Sequence, residues 1–348
     1  MKIIATGVLL FLLTTSHNVP TQAFTMKLLA TSSQALIPLV KISAYTNENP
    51  PSKDASQSLV HALQDSGFVL VQSPLLTPDI QDRAIKAANE FLEDGKSNGV
   101  VEHPSDPKRY AMLESVEDCE ADLKEYMNIL EKIKMDVLRH IAVGLGMSYI
   151  DFFAKLHNDN NDTLRLINYY PTNEDTGNRC KEHSDYGTIT LLSTDGVSGL
   201  EAFHHSEWIP VPHVKGSLVV NIGTLLSRWT KGNLKATLHR VAGPASLHSQ
   251  SAKIDLVEAC KYTRTSIAFF ADPNQDISAA LSSSGSNEEE DAGLVESLQG
   301  MSVSEYVQWR SGGGGKDKGR SGIGFTCEDK NRLDKLNTST MGDDAITK

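Results

Sequence analysis

Two kinds of hydrophobic periodicity divide this 348-residue chain. Up to about residue 148, apolar residues recur every three or four positions, which predicts amphipathic helices. One helix is expected near residues 56–66, and a second begins at Thr77-Pro78, because threonine caps helices and proline suits the first turn. A third covers about residues 116–145, and its apolar stripe is typical of a helix that packs against a sheet. β-rich runs at residues 37–42 and 67–71 predict strands.

From about residue 164 the pattern changes to short β-rich runs that are separated by turn residues. The predicted strands cover residues 164–169, 188–192, 200–203, 218–222, 237–241 and 265–270. Many short strands with turn signals predict a barrel or a jelly roll. Residues 219–241 are interpreted as strand, turn, strand. The whole chain is therefore expected to be an α+β protein.

The first residues have the layout of a targeting signal. Lys2 precedes an apolar stretch at residues 3–13, and the small residues of Thr21-Gln22-Ala23 follow, as in a secretory signal peptide. Residues 25–34 contain Ser and Thr but no acidic residue, as transit peptides do. We therefore expect residues 1–33 to be a presequence for the secretory pathway or, through a bipartite signal, for a plastid. The alternative is a cytoplasmic protein whose translation starts at Met26.

The other boundaries follow from composition. Residues 282–293 and 311–324 lack the apolar content that offsets the entropy cost of ordering a chain. The expected organisation is an N-terminal region of helices and short strands (34–148), a jelly-roll domain (149–310) and a Gly-rich, polar, disordered tail (311–348).

Charge and cysteine content exclude several function classes. The net charge of −11 argues against nucleic acid as a partner, since phosphate binding needs clustered Lys and Arg. No apolar run is long enough for a membrane span in the mature chain. The four cysteines form no CxxC pair, which argues against a zinc finger, and their wide spacing does not suggest a disulfide scaffold.

The most informative motif is a His and an Asp two positions apart. His183 and Asp185 open a strand-like run, and residues i and i+2 of a strand point to the same face. Both could therefore reach one ion, and the distant His239 could complete a three-ligand face. Two His and one carboxylate form the ligand set of non-haem Fe(II) oxygenases. The sequence thus predicts a metal site at His183, Asp185 and His239.

A lone His-x-Asp is weak evidence, because His157-Asn158-Asp159 repeats the pattern. That second motif lies in a run of Asn and Asp, which predicts a solvated turn rather than a metal site. Four other histidines are interpreted as ordinary surface or core residues: His61, His204, His205 and His248.

The ordered set of motifs resembles the 2-oxoglutarate- and Fe(II)-dependent dioxygenases of the isopenicillin N synthase-like group. The likeness covers residues 37–310 and includes Asn168-Tyr169-Tyr170-Pro171, Trp208-Ile209-Pro210-Val211 and Val220-Asn221-Ile222-Gly223. It implies a double-stranded β-helix (jelly-roll) core with supporting N-terminal helices. It also implies Fe(II) on the three predicted ligands, 2-oxoglutarate as co-substrate, and O2.

The resemblance implies that Arg264 and Ser266 bind the co-substrate. An arginine fork binds a carboxylate through two hydrogen bonds, and a serine hydroxyl can add a third. In an isolated Arg-x-Ser, an exposed arginine would be the default interpretation. Asn168 and Tyr170 align with residues that help to hold 2-oxoglutarate in relatives; otherwise they would be a turn asparagine and a core tyrosine.

Two departures from the family pattern stand out. Thr224 follows Gly223 where the family usually has Asp. Arg264 lies 25 residues after His239, which is farther than usual and indicates an insertion at residues 243–260. Surface turns tolerate insertions, and this one could shape substrate access.

The resemblance implies an enzyme that hydroxylates or desaturates a small organic metabolite and releases succinate and CO2. One alternative is an oxidase that does not use 2-oxoglutarate, like isopenicillin N synthase or aminocyclopropanecarboxylate oxidase. Another is a non-catalytic binding protein on the same fold. The sequence leaves open the substrate, the choice among hydroxylation, desaturation and ring closure, and the oligomeric state.

Overall fold

The strands of this protein divide between two sheets that face each other. The computed structural model describes residues 37–93, 99–114, 120–159, 161–173, 175–246 and 257–274. The strands are β1 (Leu39–Lys41), β2 (Phe68–Gln72), β3 (Val101–Glu102), β4 (Lys108–Leu113), β5 (Thr163–Tyr169), β6 (Cys180–His183), β7 (Ile189–Thr194), β8 (Leu200–His204), β9 (Glu207–Pro210), β10 (Leu218–Ile222), β11 (His239–Val241) and β12 (Arg264–Ala271).

The larger sheet has the order β1-β2-β10-β7-β12-β5-β4-β3, and the smaller sheet has the order β6-β11-β8-β9. β1 runs parallel to β2, and the other neighbouring pairs in these described sheets are antiparallel. The four central strands β10-β7-β12-β5 and the four strands of the smaller sheet form the two layers of a jelly roll. The predicted α+β fold with a jelly-roll core is confirmed.

The helices that lie wholly within the described residues are α1 (Lys53–Asp65), α2 (Pro78–Glu93), α3 (Ala121–Gly144) and the short α4 (Thr224–Trp229). Short 3-10 segments lie at Ala154–His157 and Pro244–Ser246. The three predicted N-terminal helices are confirmed. The Thr77 hydroxyl accepts a hydrogen bond from the Ile80 amide at 3.2 Å, as expected of a helix cap. None of the described helices is long and apolar enough to cross a membrane.

Two apolar cores lie on opposite faces of the larger sheet. One joins α1, α2 and α3 to the sheet, and the other fills the space between the two sheets. Strand β5 contributes to both, because side chains on a strand alternate between faces. Leu164 and Leu166 pack toward the helices, whereas Ile167 and Tyr169 face the smaller sheet.

Several local predictions need correction. Residues 224–229 form helix α4 and not part of a strand–turn–strand unit. Strands β3 and β4 were not predicted, because neither run alternates clearly between apolar and polar residues. The predicted presequence, the 282–293 segment and the tail lie outside the described residues, as do residues 247–256 of the insertion.

Candidate active site

The three predicted metal ligands meet where the two sheets approach each other. His183 is the last residue of β6 and His239 is the first of β11, and these two residues are direct partners across the smaller sheet. Asp185 lies in the loop that leads from β6 to β7. The prediction that His183 and Asp185 share one strand is therefore wrong. The chain must leave the smaller sheet to enter the larger one, so the strand ends at His183.

The donor atoms form a compact cluster. The Nε2 atoms of His183 and His239 lie 3.9 and 3.7 Å from Oδ1 of Asp185. The two imidazole ring centres are 4.2 Å apart, and one ligand atom from each of the three residues lies within 4.8 Å of the others. Two imidazoles and one carboxylate on one side of an ion leave positions open on the other, which suits iron oxygenase chemistry.

Backbone carbonyls orient both imidazoles. Nδ1 of His183 lies 2.8 Å from the Lys181 carbonyl, and Nδ1 of His239 lies 3.1 Å from the Thr237 carbonyl. A carbonyl oxygen can only accept, so in each neutral ring Nδ1 carries the proton. The lone pair is then on Nε2, which is the nitrogen directed at Asp185.

The carboxylate of Asp185 is fixed through its other oxygen. Oδ2 accepts hydrogen bonds from Thr190 Oγ1 at 2.6 Å and from Asn221 Nδ2 at 2.7 Å. The Thr224 amide, at the start of α4, donates to the Asp185 carbonyl at 2.8 Å. Thr224, which replaces the usual Asp, thus supports the loop through its backbone and leaves Asp185 Oδ1 available to a metal ion.

Burial and close charges shift the pKa values of these groups. Burial, followed by the neighbouring His183, lowers the pKa of His239 to about 4. Burial alone would raise the pKa of Asp185, but His239, His183 and its hydrogen bonds hold it below the usual value. Burial also opposes the proton on His183, but Cys180 and Asp185 raise its pKa to about 9. The site therefore combines an anionic carboxylate with imidazoles of unequal basicity.

Arg264 and Ser266 line the same internal cavity as the metal-ligand cluster. The Arg264 side chain is 1% exposed, and its Nε donates to the Val197 carbonyl at 3.1 Å. The guanidinium also lies 5.2 Å from the centre of the Tyr169 ring. The Ser266 hydroxyl is buried and has no hydrogen-bond partner among the described residues. An unpaired buried hydroxyl destabilises the folded chain unless a ligand accepts its hydrogen bond. The carboxylate of a bound co-substrate would accept it.

The structure does not bring Asn168 and Tyr170 into this cavity. The Asn168 amide oxygen accepts from the Thr265 hydroxyl at 3.0 Å, and the Tyr170 hydroxyl donates to Glu102 at 2.5 Å. The alternation of β5 turns its odd-numbered residues inward: Arg165, Ile167 and Tyr169 line the cavity. Asn168 and Tyr170, which were predicted to help to hold 2-oxoglutarate, therefore do not line this cavity, and the inward-facing residues of β5 line it instead.

Several cavity residues had no signal in the sequence. Lys108 pairs with Asp106 at 3.0 Å and contacts the Cys180 sulfur at 3.0 Å, with both charged groups buried. Arg165 stacks over the Tyr110 ring at 4.2 Å, and its buried Nε has no hydrogen-bond partner in the described structure. Within the described part of the chain, no carboxylate lies within ion-pair distance of Arg165. Lys108 is therefore neutralised internally, whereas Arg165 has no carboxylate partner among the described residues.

Cys180 also faces this cavity. Burial alone would raise the pKa of its thiol, but His183 and Lys108 lower it to about 6. Cys180 is therefore not an isolated thiol, because its sulfur contacts the predicted ligand His183 and the buried Lys108 ammonium.

The second His-x-Asp motif is not a metal site, although the reason differs from the prediction. His157 is not in a solvated turn but is 1% exposed, at the end of the 3-10 segment. Its ring nitrogens contact the Phe153 carbonyl and the Thr188 hydroxyl, each at 2.7 Å.

A separate groove beside α2 and β7 is larger than the cavity at the metal-ligand cluster and contains none of the three predicted ligands.

Comparison with known proteins agrees with this geometry. The profile of the 2OG-Fe(II) oxygenase superfamily matches residues 161–273, which include all three metal-ligand candidates and the Arg264–Ser266 pair. The domain at residues 161–273 therefore belongs to the 2-oxoglutarate- and Fe(II)-dependent oxygenase superfamily. As a member of this superfamily it is an oxidoreductase of the dioxygenase type, which uses Fe(II), 2-oxoglutarate and O2.

Individual relatives of this oxygenase are distant. The 2-oxoglutarate-dependent dioxygenase ecdK of Aspergillus rugulosus is 28% identical over 70% of this chain and 73% of its own length. The homoarginine-6-hydroxylase 2-ODD-233 of Oryza sativa is 31% identical over 44% of each chain, so the match spans less than half of that enzyme. A full-length Neurospora crassa protein, whose crystal structure contains alpha-KG and 5-formyluracil, is 25% identical, with a TM-score of 0.54 over 64% of this chain and 79% of that chain.

Proposed function

We propose that this oxygenase hydroxylates or desaturates a small organic acid while converting 2-oxoglutarate to succinate and CO2. In this proposal His183, Asp185 and His239 hold the iron, and Arg264 with Ser266 binds the far carboxylate of 2-oxoglutarate. The observation that carries it is the internal cavity that both groups line together.

The residues around the cavity have separable roles. The iron, when bound, supplies the activation of O2 that is coupled to decarboxylation of 2-oxoglutarate. Asp185 and the two imidazoles hold the metal on one side and leave the other side to the reactants. Arg264 and Ser266 set the position of the co-substrate. Apolar side chains from both sheets, including Phe68, Leu192 and Val241, keep water from the reacting centre.

An oxidase without a co-substrate and a non-catalytic binding protein are the alternatives. The buried Ser266 hydroxyl, which lacks a partner among the described residues, and the buried arginine beside it favour a bound carboxylate. The relatives named as 2-oxoglutarate-dependent dioxygenases favour 2-oxoglutarate as the source of that carboxylate. A carboxylate of the co-substrate would satisfy both groups. A binding protein would have no need for the orientation of two imidazole Nε2 atoms toward one carboxylate oxygen.

Charge supports an acidic substrate. Among the described lining residues, Arg165 and Arg264 are positive and lack an internal carboxylate, whereas Asp185 is negative. With Lys108 paired to Asp106 and Cys180 counted as a neutral thiol, the charges of Fe(II), Asp185, the dianion of 2-oxoglutarate and Arg264 sum to zero, which leaves Arg165 without a counter-charge. The thiol is counted as neutral because a His183 that binds iron no longer carries the proton that lowers the pKa of Cys180. A carboxylate on the substrate would neutralise Arg165. The rice relative is named for homoarginine, an amino acid with such a group.

The first experiment tests iron and co-substrate binding together. Residues 26–348 are loaded anaerobically with Fe(II), and 2-oxoglutarate is titrated while the visible spectrum is recorded. We expect a charge-transfer band that is absent in His183→Ala and Arg264→Ala. Iron binding without a band would favour the oxidase alternative, and absence of iron binding in the wild type would favour the binding protein.

The substrate is then sought by succinate release from matched pairs of compounds. Each pair contains a carboxylic acid and its primary amide, such as L-homoarginine and L-homoargininamide. The proposal expects acids to stimulate turnover and the matching amides to do so at least tenfold less. Turnover with amides as efficient as with acids would exclude Arg165 as a carboxylate site.

We also propose that residues 1–33 direct the protein to the secretory pathway or to a plastid, on the composition of that segment alone. Fluorescent fusions to residues 1–36 and to a version starting at Met26 test this. Equal cytoplasmic fluorescence of both fusions would favour the cytoplasmic alternative.

A further inference from the structure

A second cluster of metal-ligating side chains lies where helix α1 ends against the turn between β8 and β9. Asp65 is the last residue of α1, His204 is the last residue of β8, and His205 follows in the turn. One ligand atom from each of these residues lies within 4.8 Å of the others. None of the three lines the active-site cavity.

The turn places both imidazoles on the same side. Consecutive residues of a strand normally point to opposite faces. Here His205 and Ser206 have φ values of +46° and +68°, the left-handed region that two-residue hairpin turns usually fill with Asn and Gly. As a result the rings of His204 and His205 lie side by side, with their centres 3.8 Å apart and their planes at 31°. Two protonated rings would repel each other in this arrangement, whereas one metal ion could bind both.

The separation of the donor atoms fits a shared ion better than a direct contact. His204 Nε2 and Asp65 Oδ1 are 3.7 Å apart, which is too far for a hydrogen bond. Two donors at tetrahedral positions on one zinc ion stand about 3.4 Å apart, given bond lengths of about 2.0–2.1 Å. Burial lowers the pKa of His204 despite the nearby Asp65 carboxylate, so its ring is neutral and can offer a lone pair at neutral pH.

The surroundings restrict both the position of the cluster and the kind of ion. The Lys235 ammonium donates to the Asp65 carbonyl at 2.7 Å, and the Thr237 hydroxyl donates to the Ser66 carbonyl at 2.6 Å. These bonds hold the end of α1 near the segment that leads to His239. Two nitrogen donors and one oxygen donor disfavour Ca²⁺ and Mg²⁺, which prefer several oxygen ligands, and favour ions that bind imidazole strongly.

We propose that Asp65, His204 and His205 form a second metal site, separate from the catalytic one, for a divalent ion such as Zn²⁺, Co²⁺ or Ni²⁺. Water completes the coordination on the exposed side, because Asp65 and His205 are both exposed. The ion links the end of α1 to the β8–β9 turn and so stabilises the folded chain. This site does not depend on the activity proposed for the cavity.

Cobalt binding to the full chain tests the proposal, because tetrahedral Co²⁺ has visible absorption bands and can be counted by equilibrium dialysis. Four proteins are compared: wild type, His204→Ala/His205→Ala, His183→Ala/His239→Ala, and the control His213→Ala. We expect each of the two double variants to bind one Co²⁺ fewer than wild type, and His213→Ala to bind the same number. Unchanged stoichiometry in His204→Ala/His205→Ala would overturn the proposal.

A second measurement covers the case in which the double variant does not fold. His205→Asn removes one ligand from an exposed position, and Asn is favoured at positive φ, so the turn is kept. With Zn²⁺ as the probe, the melting temperature of His183→Ala/His239→Ala should rise by several degrees, and adding His205→Asn should abolish most of that rise. A rise of the same size with and without His205→Asn would also overturn the proposal.

Discussion

At the scale of single residues, one carboxylate organises the metal site. Asp185 uses Oδ2 for the Thr190 hydroxyl and the Asn221 amide, so its Oδ1 has a fixed direction toward the two imidazoles. Partners of this kind, one step removed from the metal, commonly contribute roughly 10–100-fold to affinity, because they hold the ligand in its binding geometry.

We therefore expect Thr190→Val to weaken Fe(II) or Co²⁺ binding at the catalytic site by roughly tenfold or more. Valine has the shape of threonine and suits a strand, so the loss would reflect the missing hydrogen bond. Thr194→Val, on the same strand but directed at the exposed His213, is the matched control. Equal metal affinities of the two variants in a dialysis titration would show that Thr190 does not position Asp185.

The two arginines of the cavity should have different roles. Arg264→Gln should weaken 2-oxoglutarate binding by roughly 10- to 150-fold, since a hydrogen bond between charged groups contributes about 1.5–3 kcal/mol. Arg165→Gln should leave that affinity nearly unchanged and instead lower kcat/KM for the acidic substrate relative to its amide. Titration of the charge-transfer band gives the first quantity, and succinate release gives the second. Loss of 2-oxoglutarate affinity in Arg165→Gln alone would mean that the roles are exchanged.

At the scale of elements, the start of α4 supports the loop that carries Asp185. A Cβ atom on Gly223 would lie 2.1 Å from the Gly187 carbonyl oxygen, so the helix start and the loop are in direct backbone contact. The Leu225 amide adds a hydrogen bond to the Tyr186 carbonyl at 3.1 Å. This contact fixes the start of α4 against the loop that carries Asp185, a feature that the local sequence pattern did not indicate.

Gly223→Ala should displace the Asp185 loop, because neither backbone segment can yield as a flexible side chain would. We expect a loss of about 1–3 kcal/mol in the free energy of unfolding and a lower metal affinity. Gly177→Ala is the control, since an added Cβ there would meet nothing within 4 Å. Urea unfolding and Co²⁺ titration measure the two effects. A Gly223→Ala protein as stable as Gly177→Ala would contradict the close contact.

At the scale of the whole molecule, buried titratable groups of the helical region make stability depend on pH. His140 of α3 is fully buried, and its Nδ1 lies 2.8 Å from the Ser56 hydroxyl of α1. Burial lowers the pKa of His140 to about 4. The unfolded chain takes up this proton below pH 6.5, whereas the folded chain resists it until about pH 4.

Acidification from pH 6.5 to 4 should therefore favour unfolding, and the His140 contribution that is lost in this window is about 3 kcal/mol. Asp162 has the opposite effect on stability over part of the same pH range. Burial raises the pKa of Asp162 to about 6 despite its ion pair with Lys134, so its proton stabilises the folded chain at low pH. His140→Gln should flatten the fall in stability below pH 6.5, measured by urea unfolding. The exposed His61→Gln is the control, and an equal slope in both variants would contradict the assignment.

The sequence by itself determined the features that depend on neighbouring residues and on motif order. The 3.6-residue periodicity located α1, α2 and α3, and the β-rich runs located most jelly-roll strands. Motif order indicated the superfamily and predicted the site residues His183, Asp185, His239, Arg264 and Ser266. These features are readable because hydrophobic periodicity and motif spacing are local properties of the chain.

Only the tertiary structure decided which side chains share a space. Whether Asn168 or Tyr169 faces the cavity depends on the pairing of β5 with β12, and a shift of one residue reverses every side chain. The orientation of Arg165 into the cavity depends on the same strand pairing. The contact of Asp65 with His204 and His205 also depends on the tertiary structure, because Asp65 is distant from the two histidines in the sequence. Asp185 lies in a loop and not in a strand, because the chain crosses there from the smaller sheet to the larger one. Long-range pairing fixes these contacts, and no local pattern records it.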